Sequence, residues 1–295
     1  MATPALIETE KLSKTFSREG VQQHVLRNLD LTIRQGDFTV IMGASGAGKS
    51  TLLYALSGMD TPTLGDVRFQ GRSLAGLSQS ALARFRRRAC GFVFQQIHLL
   101  ETLSLFDNAM AAGLLVSKDR AAVARRAEEL FAQVGIDQAT WRKLPAQTSG
   151  GEAQRAAVVR ALVNSPAALF ADEPTGALDQ TSGTAVLDAL TAANQGGQSV
   201  VLVTHDLKSA RRGDRVLYLS DGQIAGELDL RAISGGANAP AGEGHGGANA
   251  ARGPGGAETV AAGPADARGS GHRPGSGPDA ARAQALRSFL IDQGW

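Results

Sequence analysis

The sequence predicts an α/β fold: a mixed, mostly parallel sheet covered by helices on both faces, with a helical lobe inserted into it. Three observations predict it. Short apolar runs rich in β-branched residues recur before residue 232: "FTVIMG" (38–43), "CGFVF" (90–94), "AALFA" (167–171), "SVVLVT" (199–204) and "RVLYLS" (215–220). Helical patterns separate them, and strands that are apolar throughout belong in a parallel sheet buried on both faces. Between 103 and 164 helical spacing dominates, so a helical subdomain, about 96–164, interrupts the sheet.

Bulk properties narrow the class. The 295 residues are 43% hydrophobic, enough for a real core, and carry a formal net charge of +2. Nothing in that balance argues for nucleic acid, and no nucleic-acid partner is expected. The single cysteine, Cys90, allows no internal disulfide and reads as a small buried hydrophobe beside a strand. The start "MATPALIETEKL" lacks the basic and apolar regions of a signal peptide. No apolar run reaches the roughly 18 residues of a membrane-spanning helix, so the chain is expected to be soluble. Near residue 232 the composition turns to Gly, Ala and Pro, and 232–278 is expected to be a disordered linker. The last stretch, 279–295, spaces Leu286, Phe289 and Leu290 at helical intervals. It reads as a frayed tail, or as a short amphipathic helix that docks on a partner.

The first strand–helix junction carries Gly43-Ala44-Ser45-Gly46-Ala47-Gly48-Lys49-Ser50, followed by Thr51. This is a phosphate loop in its proper context. Backbone N–H groups and the positive end of the following helix surround an anion. Lys49 supplies a point charge to the β- and γ-phosphates, and the Ser50 hydroxyl is a Mg²⁺ ligand. The run "ALFADEP" ends in Asp172 and Glu173 at a strand tip, where open α/β sheets bind ligands. Asp172 can hold Mg²⁺ through water, and Glu173, one residue further, can polarise an attacking water. Read alone, two solvated carboxylates at a strand end would serve as well.

Other strand ends add candidates. His205, after "SVVLVT", can contact a γ-phosphate or play a structural part. Gln95, after "FVF", can reach Mg²⁺ or the attacking water, or be a surface loop residue. Phe16 can stack on adenine or join the core. "LARFRRRAC" (82–90) reads as a solvated basic helix face.

"TSGGE" (148–152) puts Ser149, Gly150 and Gly151 at a second helix start, a second anion site by the same backbone and dipole logic. One chain has no second triphosphate for it. The economical arrangement is two chains head to tail with ATP between them.

Taken together, Phe16, Gly43–Ser50, Gln95, Ser149–Glu152, Asp172-Glu173, the "ALD" ending in Asp179, and His205 resemble, in order, the motifs of the nucleotide-binding subunit of an ATP-binding cassette transporter. The resemblance covers about 5–231 and implies a P-loop NTPase cassette with ATP and Mg²⁺ as cofactors. "TSGGE" with Gln154-Arg155, and "ADEPTGALD", are similar to the branch serving lipoprotein release, macrolide or peptide efflux, and cell division. The resemblance implies that Phe16, the phosphate loop through Thr51, Ser149, Gly150, Gly151, Glu152 and Asp179 bind nucleotide, with Asp179 communicating across a homodimer. It implies Ser50, Gln95 and Asp172 at the metal, and Glu173, His205 and Gln95 in catalysis, with Glu173 as general base. It further implies a separate integral-membrane permease and a peripheral place on the cytoplasmic face of the cell membrane.

Thr148 stands where the family usually has leucine, Ala153 where it has a polar residue, and Phe16 where tyrosine is commoner. None removes a donor to phosphate. The leading expectation is an ATPase that energises export or extraction. The alternative is an ATPase switch signalling through a membrane partner to cell-wall enzymes. A soluble DNA-repair or ribosomal cassette fits less well, because Gly43 and Gly150 lie only 107 residues apart and one cassette is present.

Overall fold

In the computed structural model residues 4–18, 20–234 and 278–295 are described. The chain opens with β1 (Ala5–Arg18), β2 (Val21–Leu29) and β3 (Thr32–Arg34); β2 and β3 both pair antiparallel with β1. It then enters β4 (Phe38–Met42), every residue of which is buried, and α1 (Lys49–Leu56). An antiparallel pair, β5 (Leu64–Phe69) and β6 (Arg72–Ser73), returns to β1, and α2 (Gln79–Ala89) leads into β7 (Cys90–Phe94).

The helical lobe contains α3 (Leu105–Leu114), α4 (Arg120–Gln133) and the short α5 (Gln138–Trp141). It closes on an aromatic cluster in which Phe131 and Trp141 ring centroids lie 5.2 Å apart. Next come α6 (Gly150–Leu162), β8 (Ala168–Asp172), α7 (Gln180–Gln195), β9 (Ser199–Val203) and α8 (Leu207–Ala210). The cassette ends with β10 (Arg215–Ser220), β11 (Gln223–Asp229) and α9 (Leu230–Ser234), and α10 (Pro278–Asp292) follows.

Two sheets result. The larger runs β11-β10-β4-β9-β8-β7, parallel except for the β10–β11 pair. The smaller, β2-β1-β5-β6 with β3 on β1, is antiparallel. The strand period of two divides the core between them. Phe38, Val40, Leu169, Ala171, Val200, Leu202 and Val216 face the helices α3, α4, α6 and α7. Ile41, Ala168, Phe170, Val201, Val203, Leu217 and Leu219 face α1 and the smaller sheet. Both faces of the parallel strands are therefore dry, which is why their sequences are apolar without alternation.

Two sequence expectations change here, and a third falls largely outside the described residues. The antiparallel sheet was not foreseen: β2 has a mostly exposed burial pattern, so its strand signal is weak. Helix α6 is shared between lobe and sheet, because it packs on β7 and α7 as well as on α3 and is buried along most of its length. The expected linker, 232–278, lies outside the described residues except at its ends, where 232–234 form the last residues of α9 and Pro278 begins α10. Cys90 is buried at the start of β7 as expected, and burial pushes its thiol well above the ordinary range. The three consecutive arginines of α2 lie in its last turn, next to its C-terminal carbonyls.

The terminal stretch is a helix that docks on this chain, not a frayed tail. Leu286 and Leu290 are fully buried in the helix-side core, with Phe289 packed beside them. The Arg282 guanidinium donates to the carbonyls of Leu230, Arg211 and Gly213 at 3.2–3.4 Å. Close approach requires the bare backbone of Gly226, where a Cβ would fall 2.9 Å from the Phe289 ring. Truncating a buried leucine to alanine costs about 2–5 kcal/mol. Leu286→Ala with Leu290→Ala should undock α10. The measurement is amide hydrogen exchange: protection over 282–292 is lost, while β4, β8 and β9 keep theirs. Retained protection would show that other contacts hold the helix.

Candidate functional site

One row of residues crosses the parallel sheet. Phe94 pairs with Asp172, Asp172 with Val203, and Val203 with Ile41. The strands run the same way, so each chain continues past this row onto the same edge. Gln95, Glu173, Thr204-His205 and the Gly43–Ser50 loop therefore emerge side by side from four strands.

The loop after β4 needs its glycines. A Cβ on Gly43 would overlap the Leu219 carbonyl, and Gly48, which precedes α1, has φ 99°. The Lys49 ammonium donates to the carbonyls of Gly43 and Ala44, each at 2.9 Å, so its charge is held at the loop. Ala44, Ser45, Gly46 and Ala47 line a cavity of about 280 Å³ with His24, Val25 and Asp221. Gln23, also on its wall, pairs across the hairpin with Phe16. The Phe16 ring is 44% exposed, with the Lys14 ammonium 5.0 Å from its centroid. It is a surface ring and not a core one.

Asp172 is buried, yet both its oxygens are satisfied. Ser50 Oγ donates to Oδ1 and the Tyr54 hydroxyl donates to Oδ2, each at 2.9 Å. Tyr54 was missed in the sequence. Its signal was there: it lies four residues, about one helical turn, after Ser50, so both reach the same carboxylate. Burial first, and the Asp172 charge second, push the Tyr54 phenol up to about 12. Among the described residues no group of three or more His, Cys, Asp or Glu could hold a metal alone. Hard oxygens from Ser50 and Asp172 beside an anion loop fit Mg²⁺, which takes one or two carboxylates and completes its shell with water and phosphate. Gln95 stands at the neighbouring loop, its Nε2 within 3.0 Å of where a Gly176 Cβ would sit.

Glu173 leaves the strand in the left-handed region, φ 47°, a conformation worth roughly 1–2 kcal/mol of strain in a non-glycine residue. Its N–H is held by the Val203 carbonyl at 3.0 Å. The turn separates adjacent carboxylates: Asp172 meets Ser50 and Tyr54, while Glu173 Oε1 meets His205 Nδ1 at 2.8 Å. Glu173 is 19% exposed and His205 69%. A carboxylate oriented by an imidazole at the mouth of a cleft can take a proton from water.

The helix start at Ser149, expected as a second anion site, has its own construction. Ser149 caps α6 and accepts from Glu152 N–H at 3.2 Å, while Glu152 Oε2 accepts from Ser149 N–H at 2.8 Å. This is a capping box. These bonds from Ser149 hold the Glu152 carboxyl below its ordinary range. An ionised carboxylate only accepts, so Glu152 acts on Ser149 and has no donor for a phosphate. Asp179 likewise caps α7, accepting from Thr181 and Ser182 N–H at 2.9 and 3.0 Å. Gly150 lines a cavity of about 670 Å³ with Gln95, Thr148 and Ala177, and Glu173, Asp179 and His205 line a third. Neither is the phosphate-loop cavity. Within one chain the phosphate loop and the Ser149 helix start do not share a space.

Known proteins match this arrangement. The ABC transporter family model matches residues 26–176. An uncharacterized ABC transporter ATP-binding protein of Methanocaldococcus jannaschii, MJ1508, is 40% identical over 219 residues, covering 74% of this chain and 97% of that protein. The chain belongs to the ABC transporter family. It is the family's ATP-binding cassette, and an ATPase. The macrolide export ATP-binding/permease protein MacB of Escherichia coli is 42% identical over 219 residues, and this chain spans 34% of MacB's length. A dimeric post-hydrolysis structure of the ATP-binding cassette MJ0796 bound to ADP and Pi superposes with a TM-score of 0.70 at 35% identity, over 76% of this chain and 99% of that one. These relatives agree with the lipoprotein-release, macrolide-efflux and cell-division branch. Among the described residues no helix is long and apolar enough to cross a membrane.

The raised Tyr54 phenol gives a signed prediction. Its folded value, about 12, exceeds the ordinary 10.0, so the stabilisation it contributes is complete below pH 10 and is lost as pH rises through about 12. An ultraviolet titration of the two tyrosines should show a phenol ionising near pH 12 that disappears in Tyr54→Phe. If Tyr54→Phe leaves the curve's late phase in place, the Asp172 contact is wrong.

Proposed function

We propose that this ABC cassette works as a head-to-tail homodimer, hydrolyses Mg²⁺-bound ATP between its two copies, and energises export or extraction of a substrate. The substrate passes through a separate integral-membrane permease, which holds the cassette at the cytoplasmic face of the membrane. The observation that carries the dimer is the separation of the two anion sites. Each copy contributes a phosphate loop to one nucleotide and a Ser149–Gly151 helix start to the other. The dimeric MJ0796 cassette and the export role in MacB's name support this reading.

In the proposed site the loop N–H groups and Lys49 bind the phosphates, and the exposed Phe16 ring stacks on adenine. Ser50 and Asp172 would hold Mg²⁺, with Gln95 approaching from the next strand; the ion, when bound, neutralises phosphate charge. Glu173 takes the proton of the attacking water, and His205 orients the Glu173 carboxylate. Tyr54 holds the Asp172 carboxylate in place through its hydroxyl. Ser149, with its hydroxyl tied to Glu152, faces the partner's nucleotide with the Gly150 and Gly151 N–H groups. Asp179 orders the start of α7 beside Gly151, whose absent Cβ leaves room for Ser182.

General-base catalysis contributes on the order of 10²–10⁴-fold. Glu173→Gln should lose turnover by that factor, retain ATP, and run as a dimer in ATP by light scattering. Lys49→Ala should stay monomeric. Turnover at the parent rate in Glu173→Gln would remove the base assignment, and a monomer at saturating ATP would remove the sandwich. Capture of one multi-span membrane protein by Glu173→Gln from solubilised membranes, in near-equal ratio, tests the permease. Recovery of soluble partners alone would refute it.

A further inference from the structure

Helix α6 reaches the Gln95 segment with two polar side chains, Gln154 buried and Arg160 half-buried. Gln154, one turn into the helix and 1% exposed, donates from Nε2 to the Phe94 carbonyl at 2.8 Å. Phe94 is the last residue of β7, pairs with Asp172, and is followed directly by Gln95. Two turns later the Arg160 guanidinium donates to the carbonyls of His98 and, at 3.4 Å, Ile97. His98 lies in the left-handed region at φ 48°, and its ring meets the Phe94 ring edge-on at 5.6 Å. The segment is thus a short loop closed on itself, with three carbonyls held by one helix.

We propose that Gln154 is a positioning residue: by holding the Phe94 carbonyl, with Arg160 holding the far end, it keeps Gln95 at the Asp172 edge and makes the Gln95 segment move with the Ser149 helix start. This rests on the role proposed above for Gln95. Packing alone does not explain an amide at this position. Among the described residues Gln154 Oε1 is buried without a hydrogen-bond partner, which is unfavourable. An apolar chain of the same length would avoid that cost. What the amide adds is the directed bond from Nε2. Gln154 also stands on the helix that begins with Ser149, so a shift of that helix start on engaging a second copy's nucleotide is passed to Gln95 in the same chain.

The test compares Gln95→Ala, Gln154→Met and the double variant in the full chain. Gln154→Met removes the unpaired Oε1 and leaves the Phe94 carbonyl unpaired instead, so its unfolding midpoint should stay close to the parent's. Amide exchange at 95–98 should rise about tenfold while β8 and β9 are unchanged. ATP turnover should fall about fivefold with the KM for ATP within twofold, and the double variant should match Gln95→Ala, since groups acting in series are not additive. Arg160→Lys, which keeps the charge and loses the fork, should loosen 97–99 in the same exchange measurement and serves if Gln154→Met misfolds. Unchanged exchange in the variant that folds, or additive losses in the double variant, overturn the inference while leaving Gln95's role intact. If Gln95→Ala itself turns over at the parent rate, the proposed role of Gln95 falls and the inference falls with it.

Discussion

Parallel pairing of β7, β8, β9 and β4 is the constraint on which the rest depends. Their common direction places four chain exits on one edge, and the register from Phe94 through Asp172 and Val203 to Ile41 brings those exits level. A slip of one residue in any pair would turn that strand's side chains to the opposite face. It would exchange the two cores that Phe38, Val40 and Ile41 divide between them. The hydrophobic effect therefore enforces the alignment of the site, though no functional side chain takes part in it.

Polar satisfaction then decides what each exit can do. A buried carboxylate without partners would be neutral or absent. Asp172 is tolerated because Ser50 and Tyr54 each give it a hydrogen bond from α1. The left-handed turn at Glu173 sends the next carboxylate elsewhere, to His205, so two acids adjacent in sequence occupy distinct environments. At α6 the same economy operates in reverse. Ser149 and Glu152 satisfy each other, which leaves the N-terminal N–H groups of Gly150 and Gly151 outside the capping pair.

The strands of the parallel sheet and the phosphate loop were readable because their determinants are local: a run of apolar residues, a glycine spacing, a lysine and a serine. The antiparallel sheet was not, because a strand such as β2, wet along much of its length, has too few apolar positions to stand out. Tyr54 went unnoticed because a tyrosine in a helix reads as packing until its hydroxyl partner, 118 residues away, is in view. Glu152 and Asp179 were read as nucleotide contacts from family motifs. Folding shows both also at work within their own helices, as caps.

By itself the sequence determined the strands of the parallel sheet that lead to the site, the phosphate loop, and a serine-capped, glycine-rich helix start at Ser149, since each follows from residue type and short spacing. Tertiary structure alone decided which strands became neighbours, that Asp172 would answer to Ser50 and Tyr54, and that the phosphate loop and the Ser149 helix start would open into different cavities. It also seated α10 on the cassette's own core, although the spacing of Leu286, Phe289 and Leu290 shows only that the helix has an apolar face. The physical reason is common to all four. Burial and hydrogen bonding between residues far apart in the chain depend on which surfaces meet, and no local pattern carries that information.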